Sequence, residues 1–220
     1  GEILRAELAA HGFAGKLLLC GDHEIALAGA MQTPGCVLIA GTGSICYGKN
    51  AAGEHFRCGG GGHIIDDPGS GYALGRDALA AALQTEDGRL SENALHGAVM
   101  DTVGGSGIQG IFDFVYFSRR GKGDIAALAP LVLRCAAQGD AVSLDILRRG
   151  AAELARLVSA VMGKLGLENG SPCALAGGLL AEDNVYRRAV CAALAPFCRP
   201  AAPEHDALFG AVQLALAAIQ

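Results

Sequence analysis

The stretch that decides the fold runs from Val37 to Arg76: VLIAGTGSICYGKNAAGEHFRCGGGGHIIDDPGSGYALGR. It opens with apolar residues of strand type, Val37–Ala40, and breaks at Gly41-Thr42-Gly43-Ser44. Ile45–Lys49 is a second strand-like run, Asn50-Ala51-Ala52-Gly53 reads as a hairpin turn, and a third run ends at Cys58 before the glycines Gly59–Gly62. Three such runs joined by short turns predict an antiparallel meander. Behind them stand two carboxylates, Asp66 and Asp67, and the turn Pro68-Gly69-Ser70-Gly71, which leads into a helical pattern. Glycine-rich turns at strand ends beside an acidic pair let backbone amides come close to a phosphate or a sugar.

Upstream, Glu2–Ala10 has helical spacing and stops at His11-Gly12. Lys16–Cys20 is a short apolar run of buried-strand type that ends at Gly21-Asp22, and Ile25–Met31 reads as a helix stopped by Thr33-Pro34-Gly35. Helix, strand, helix is a piece of an α/β lobe. Downstream, Tyr72–Leu83 predicts a helix with Leu74, Ala78, Leu79 and Leu83 on one stripe, and Ser91–Val103 predicts another. Gly104–Gly107 reads as a loop, and the aromatic run Asp113–Phe117 has no assignable state. Asp124 is placed to cap a helix running through Cys135, and Asp140 to cap the longest one, Ala141–Leu165. Pro172 introduces a strand, CALA, which ends at Gly177-Gly178; Asn184–Leu194 reads as a helix. Pro196, Pro200 and Pro203 mark a loop, and Ala207–Ile219 forms a last, nearly all-apolar helix.

At 220 residues the chain fits one large domain or two lobes sharing a cleft. With 51% hydrophobic residues there is ample material for a core, yet aromatics are only 5% and Trp is absent, so that core must rest on aliphatic side chains. A net charge of −5 argues against nucleic acid as a partner. No apolar run reaches the roughly 18 residues of a membrane span; the richest, Ile125–Ala137, is broken by Pro130 and Arg134. GEILRAELAAHG lacks signal-peptide anatomy, so a cytoplasmic protein is expected. The 8 cysteines form no C-x-x-C pair and sit mostly in apolar settings, which reads as small buried hydrophobes.

Each candidate site carries two readings. Gly41–Ser44 is a tight hairpin turn or a phosphate-facing loop whose two hydroxyls add donors. Asp22 is the cap of the next helix, or a base that takes the proton of a substrate hydroxyl as it attacks phosphorus. Asp66-Asp67 is a solvated turn or part of a cleft. Gly177-Gly178 is a turn, or bare backbone on which a nucleotide lies flat. His23, His55 and His63 lack the spacing of a metal site and read as ordinary polar histidines.

The ordered set GDHEIALAGA, VLIAGTGS, RCGGGGHIIDDPGSGYALGRDAL, ALAGGL and HDALFGAVQLA resembles the N-acetylglucosamine kinase and BadF/BadG/BcrA/BcrD ATPase family, within the actin/hexokinase superfamily. The five motifs span nearly the whole chain. The resemblance implies an α/β fold of two ribonuclease-H-like lobes around an ATP cleft. Residues 35–204 would form the second lobe, and 1–34 with 205–220 the remainder of the first. It further implies ATP-dependent phosphate transfer to a hydroxyl of an amino sugar, N-acetylglucosamine or glucosamine, with Asp22 as general base. Gly41, Thr42 and Gly43 resemble a phosphate loop with Ser44 beside the sugar, Gly60, Gly62 and Asp67 the sugar-binding turn, and Gly177 and Gly178 the adenosine turn. ATP with Mg²⁺ would be the cofactor, on metal ligands the motifs leave unassigned, and the assembly would be a homodimer.

The chain departs from the family pattern in three places. No Asp-Gly-Gly-Gly-Thr-like phosphate hairpin precedes these motifs, so the chain is expected to be a C-terminal piece. Gly61 stands where such kinases usually carry Trp. Asp66 and Pro68 flank Asp67 where Gly and Glu are common. Two further functions are compatible with the resemblance: a dehydratase-activating ATPase that works through an iron–sulfur cluster, and a sensor domain without catalysis.

Overall fold

The computed structural model describes residues 1–219. Its centre is a five-stranded mixed sheet of order β3-β2-β1-β4-β5. The strands are β1 (Gly35–Ala40), β2 (Ser44–Lys49), β3 (His55–Gly59), β4 (Pro172–Ala176) and β5 (Arg199–Ala201). The first three make the expected antiparallel meander, with Leu38 opposite Cys46 and Cys46 opposite Cys58. β4 then lies parallel to β1, Cys36 against Cys173, and β5 parallel to β4.

β1 is apolar throughout because both of its faces are covered. Alternation sends Cys36, Leu38 and Ala40 into the large core and Val37 and Ile39 to the opposite side. The large core is roofed by α3 (Gly71–Glu86), α7 (Ala129–Ala137), α8 (Ala141–Leu165) and α9 (Val185–Leu194). α8 has the bounds its cap predicts. The Asp140 carboxylate accepts from the Ser143 amide at 2.8 Å, and Leu147, Leu154, Val158, Val161 and Leu165 are all buried. Asp140 also accepts from the Ala94 amide at 3.1 Å, which ties in the start of α4 (Ala94–Val103). On the smaller face, α2 (Asp22–Ala30) covers Val37 and Tyr47. Two glycines let α10 (Ala207–Ala217) cross it backbone to backbone: a Cβ at Gly210 would stand 1.9 Å from the Ile25 carbonyl, and one at Gly29 2.0 Å from that of Asp206.

Several expectations are corrected. Lys16–Cys20 is not a buried strand: among the described residues no neighbouring strand pairs it, and Leu18, Leu19 and Cys20 are exposed. A strand needs a partner for its amides, and apolar composition alone does not supply one. The helix read for Ser91–Val103 begins later, at Ala94, capped by Asn93, which accepts from the His96 amide at 2.9 Å. The single helix from Asp124 to Cys135 is two, α6 (Lys122–Ala126) and α7, because Pro130 cannot donate to the turn before it. Asp124 instead accepts from the Gly121 amide at 2.8 Å, closing the turn from within. Arg199–Ala201 is a short edge strand where a loop was expected, and Asp113–Phe117 is a π-helical turn following α5 (Gly107–Phe112). The helix read for Ile25–Met31 begins earlier, at Asp22.

One ion-pair cluster makes stability depend on pH. His96 lies between Glu86 at 2.7 Å and Glu92 at 3.0 Å, linking α3 to α4. Burial opposes its charge, but the two carboxylates outweigh burial and hold its pKa above the ordinary value. A raised pKa in the folded state contributes stability that is fully present below about pH 6.5 and is lost as pH rises through the folded value. Glu92 is 84% exposed and adds little. Between the acid side of that window and pH 9, the cluster is expected to lose about 1 kcal/mol, or roughly 2–4 °C in Tm. Thermal melts of His96→Gln against the native chain should show the difference at low pH only.

Candidate functional site

The tips of β1 and β4 lie side by side, and the loops that leave them build the site. The Leu179 amide donates to the Ala40 carbonyl at 3.1 Å, so the Gly177–Leu179 turn is locked to the end of β1. From Ala40 the chain enters Gly41–Ser44, and two backbone bonds fasten this loop to the start of α3. The Gly71 amide donates to the Gly41 carbonyl at 2.7 Å, and the Tyr72 amide to that of Thr42 at 3.2 Å. Ser70 caps α3 through its hydroxyl, which accepts from the Ala73 amide at 3.2 Å.

Asp67 is bonded to the first glycine-rich turn. It is 5% exposed and sits in the left-handed region at φ 57°, a conformation that costs a non-glycine residue about 1 kcal/mol or more. Its Oδ1 accepts from the Ser44 amide at 3.2 Å, and the Ser44 hydroxyl donates to the Pro68 carbonyl at 2.6 Å. Gly43 has to be bare here, since a Cβ would meet the Asp67 carboxylate at 2.9 Å. The second turn is anchored in the same place: the Gly60 amide donates to the Ser44 carbonyl at 2.9 Å, while around Gly62 a side chain would find open space. At Gly61 the amide donates to Asp66 Oδ2 at 2.8 Å, and that carboxylate occupies the space where a side chain would emerge.

A cavity of about 460 Å³ opens over these loops. It is lined by Gly41 and Thr42, by Gly123, Ala126 and Pro130, and by Gly178 and Leu179. The structure therefore gathers Gly41, Thr42 and Gly178 at one hollow, with Gly43 and Gly177 flanking it in the chain. Ser44, next in the chain, is bonded both to Asp67 and to Gly60.

Asp22 is not part of that cavity. It is the first residue of α2 and exposed, and its carboxylate bonds to none of the described residues. Capping is done by its neighbours: the Gly21 amide donates to Glu24 Oε1 at 3.2 Å. His23 meets Tyr47 edge-on at 4.7 Å between ring centres. That contact sets the start of α2 beside the third residue after Ser44 on β2, about 10 Å along the strand. The structure brings Gly41, Thr42 and Gly178 to one cavity and leaves Asp22 outside it.

Sequence reasoning missed two contributors. The wall from Gly123 to Pro130 is made of small residues without chemical signature. Tyr186, fully buried in α9, donates its hydroxyl to the Gly69 carbonyl at 2.6 Å and so supports the turn behind Asp67; burial pushes its phenol pKa up. Its helical position marks it only as core.

The BadF/BadG/BcrA/BcrD ATPase family pattern matches residues 3–215. The chain belongs to that family. An N-acetylmuramic acid/N-acetylglucosamine kinase of Clostridium acetobutylicum is 39% identical over 169 residues, covering 76% of this chain and 55% of the relative. A candidate N-acetylglucosamine kinase of Chromobacterium violaceum has a solved structure that superposes with a TM-score of 0.75 at 32% identity, over 96% of this chain and 70% of that one. A ROK-family glucokinase of Streptomyces griseus, solved with glucose and AMPPNP, shares the fold alone: its TM-score is 0.54 at 16% identity, over 93% of this chain and 69% of that one. The α/β architecture is thus that of the actin/hexokinase-like ATPases. The chain spans about half the length of the curated relatives it matches.

Proposed function

We propose that this chain is the nucleotide-facing part of an ATP-dependent kinase for an amino sugar, with Asp22 as the general base. One observation carries the reading: the phosphate loop at Gly41-Thr42 and the turn at Gly178 line a single cavity, and Ser44, at the end of that loop, is bonded both to Asp67 and to Gly60. Bare backbone on two sides of a hollow suits a nucleotide, and a buried carboxylate next to it suits a sugar hydroxyl. Phosphoryl transfer relies chiefly on positioning and charge, which loops held this firmly supply. Asp22, exposed and unbonded among the described residues, is free to accept the proton of the attacking hydroxyl.

The residues present also fit Mg²⁺. Among the described residues no three His, Cys, Asp or Glu side chains form a protein cage, and Mg²⁺ usually meets one or two carboxylates plus substrate phosphates. Asp67, with one oxygen taken by the Ser44 amide, is the carboxylate in contact with the phosphate loop and would be the one to meet it. When bound, the ion neutralises charge on the transferred phosphate.

We assign residues 35–204 to one lobe, and 1–34 with 205–220 to the other. The glycine-mediated crossing of α2 and α10 supports that division. The dehydratase-activator alternative draws less support, because it needs thiolates at an interface and Cys20 is the exposed one among the cysteines.

The test is ADP release by the full-length gene product with N-acetylglucosamine, glucosamine, N-acetylmuramic acid and glucose. Turnover on an amino sugar is expected; none on any of the four overturns the reading.

A further inference from the structure

The nucleotide cavity has a shortage of positive charge. Its walls are glycine, alanine, threonine, proline and leucine, and the charged group bonded to its phosphate loop, Asp67, is an anion. ATP brings about four negative charges to such a place, and phosphate recognition ordinarily relies on Lys or Arg.

The densest run of positive charge in the chain leads directly into one wall. Ser118-Arg119-Arg120-Gly121-Lys122 places three cations in four residues, and the next residue, Gly123, lines the cavity. Among the described residues none of the three is paired with a carboxylate. The acids close by in sequence are engaged elsewhere: Asp124 accepts from the Gly121 amide at 2.8 Å, and Asp113 from Gln109 at 2.7 Å. The strap is nevertheless held in place. Arg120 stacks over Phe114 at 4.2 Å and donates to the Ser118 hydroxyl at 3.1 Å. Arg119 holds φ 50°, a left-handed conformation a non-glycine residue rarely adopts. Lys122 is exposed and directly precedes Gly123, which lines the cavity, and its charge sits on a flexible four-carbon stem.

Resting on the reading of the cavity as a nucleotide site, we infer that the strap, through Lys122 and Arg119, is the cationic partner of the nucleotide's phosphate chain. Arg120, occupied by Phe114, positions it. The ligand it recognises is a nucleoside di- or triphosphate rather than a nucleoside.

The test is titration of the 220-residue chain with ATP, ADP and adenosine, comparing the native chain with Lys122→Gln and with Arg119→Gln/Lys122→Gln. Loss of two cations should weaken ATP by about tenfold, ADP less, and adenosine not at all. Lys122→Arg should bind like the native chain. In the native chain itself, raising salt should weaken ATP but not adenosine, a readout that needs no variant. If ATP affinity in the double variant stays within about twofold of native, or if salt acts equally on ATP and adenosine, the strap has no such role while the cavity reading stands. If the native chain binds neither ATP nor adenosine, the cavity reading falls and takes this inference with it.

Discussion

If the proposed function holds, Asp22→Asn is expected to lower kcat of the full-length gene product on an amino sugar by roughly 10²- to 10⁴-fold, the range removed with a general base. Tm and the KM for ATP should barely move. The asymmetry follows from local structure. The Asp22 carboxylate bonds to none of the described residues, and the side-chain bond at this helix start is made by Glu24, which accepts from the Gly21 amide at 3.2 Å. Removing the charge therefore leaves α2 as it was. Glu24→Gln should do the reverse, costing about 1 kcal/mol of stability with kcat unchanged. Steady-state kinetics and thermal melts on the two variants separate the roles. If Asp22→Asn retains kcat within tenfold of native, the base lies elsewhere; if it loses several degrees in Tm, Asp22 is a structural residue.

How far these features could be read beforehand depends on whether their causes are local. The β1–β3 meander was legible because its turns are encoded by Asn50–Gly53 and its strands by short apolar runs. α8 was legible from cap to last turn because Asp140 and the Leu147–Leu165 stripe are spaced for it. Lys16–Cys20 misled for the opposite reason: its composition is that of a strand, but a strand exists only beside another, and none of the described residues pairs with it. β5 is a strand only because β4 runs alongside, which three prolines nearby conceal. The break between α6 and α7 was written in Pro130, and its consequence, a cavity shared by Gly123, Pro130 and the Gly41-Thr42 turn, was not. Within the site, Gly41, Thr42 and Gly178 stand out as glycine-rich turns wherever they occur. The bond from Ser44 to Asp67 spans 23 residues and that from Tyr186 to Gly69 117, and pairings of that length leave no trace in spacing.

Gly177 and Gly178 look interchangeable in the sequence, and substitution by alanine should show that they are not. Gly177 holds φ 88°, where an L side chain is strained, and a Cβ would lie 2.4 Å from the Ala40 carbonyl oxygen, with the Ala40 nitrogen 2.9 Å away. Both obstacles are backbone, fixed by the β1–β4 pairing, so neither can swing aside. Strain of the left-handed region and a rigid clash together should cost roughly 3 kcal/mol, or on the order of 10 °C in Tm. Gly178 meets nothing within 4 Å and lines the cavity instead. Gly178→Ala should melt within a degree or two of native but bind ATP several-fold more weakly, because its methyl takes space the nucleotide needs. Melts and ATP titrations of both variants decide the matter. Equal loss of Tm would mean that the turn is only structural, whereas intact ATP binding in Gly178→Ala would move the nucleotide off this turn.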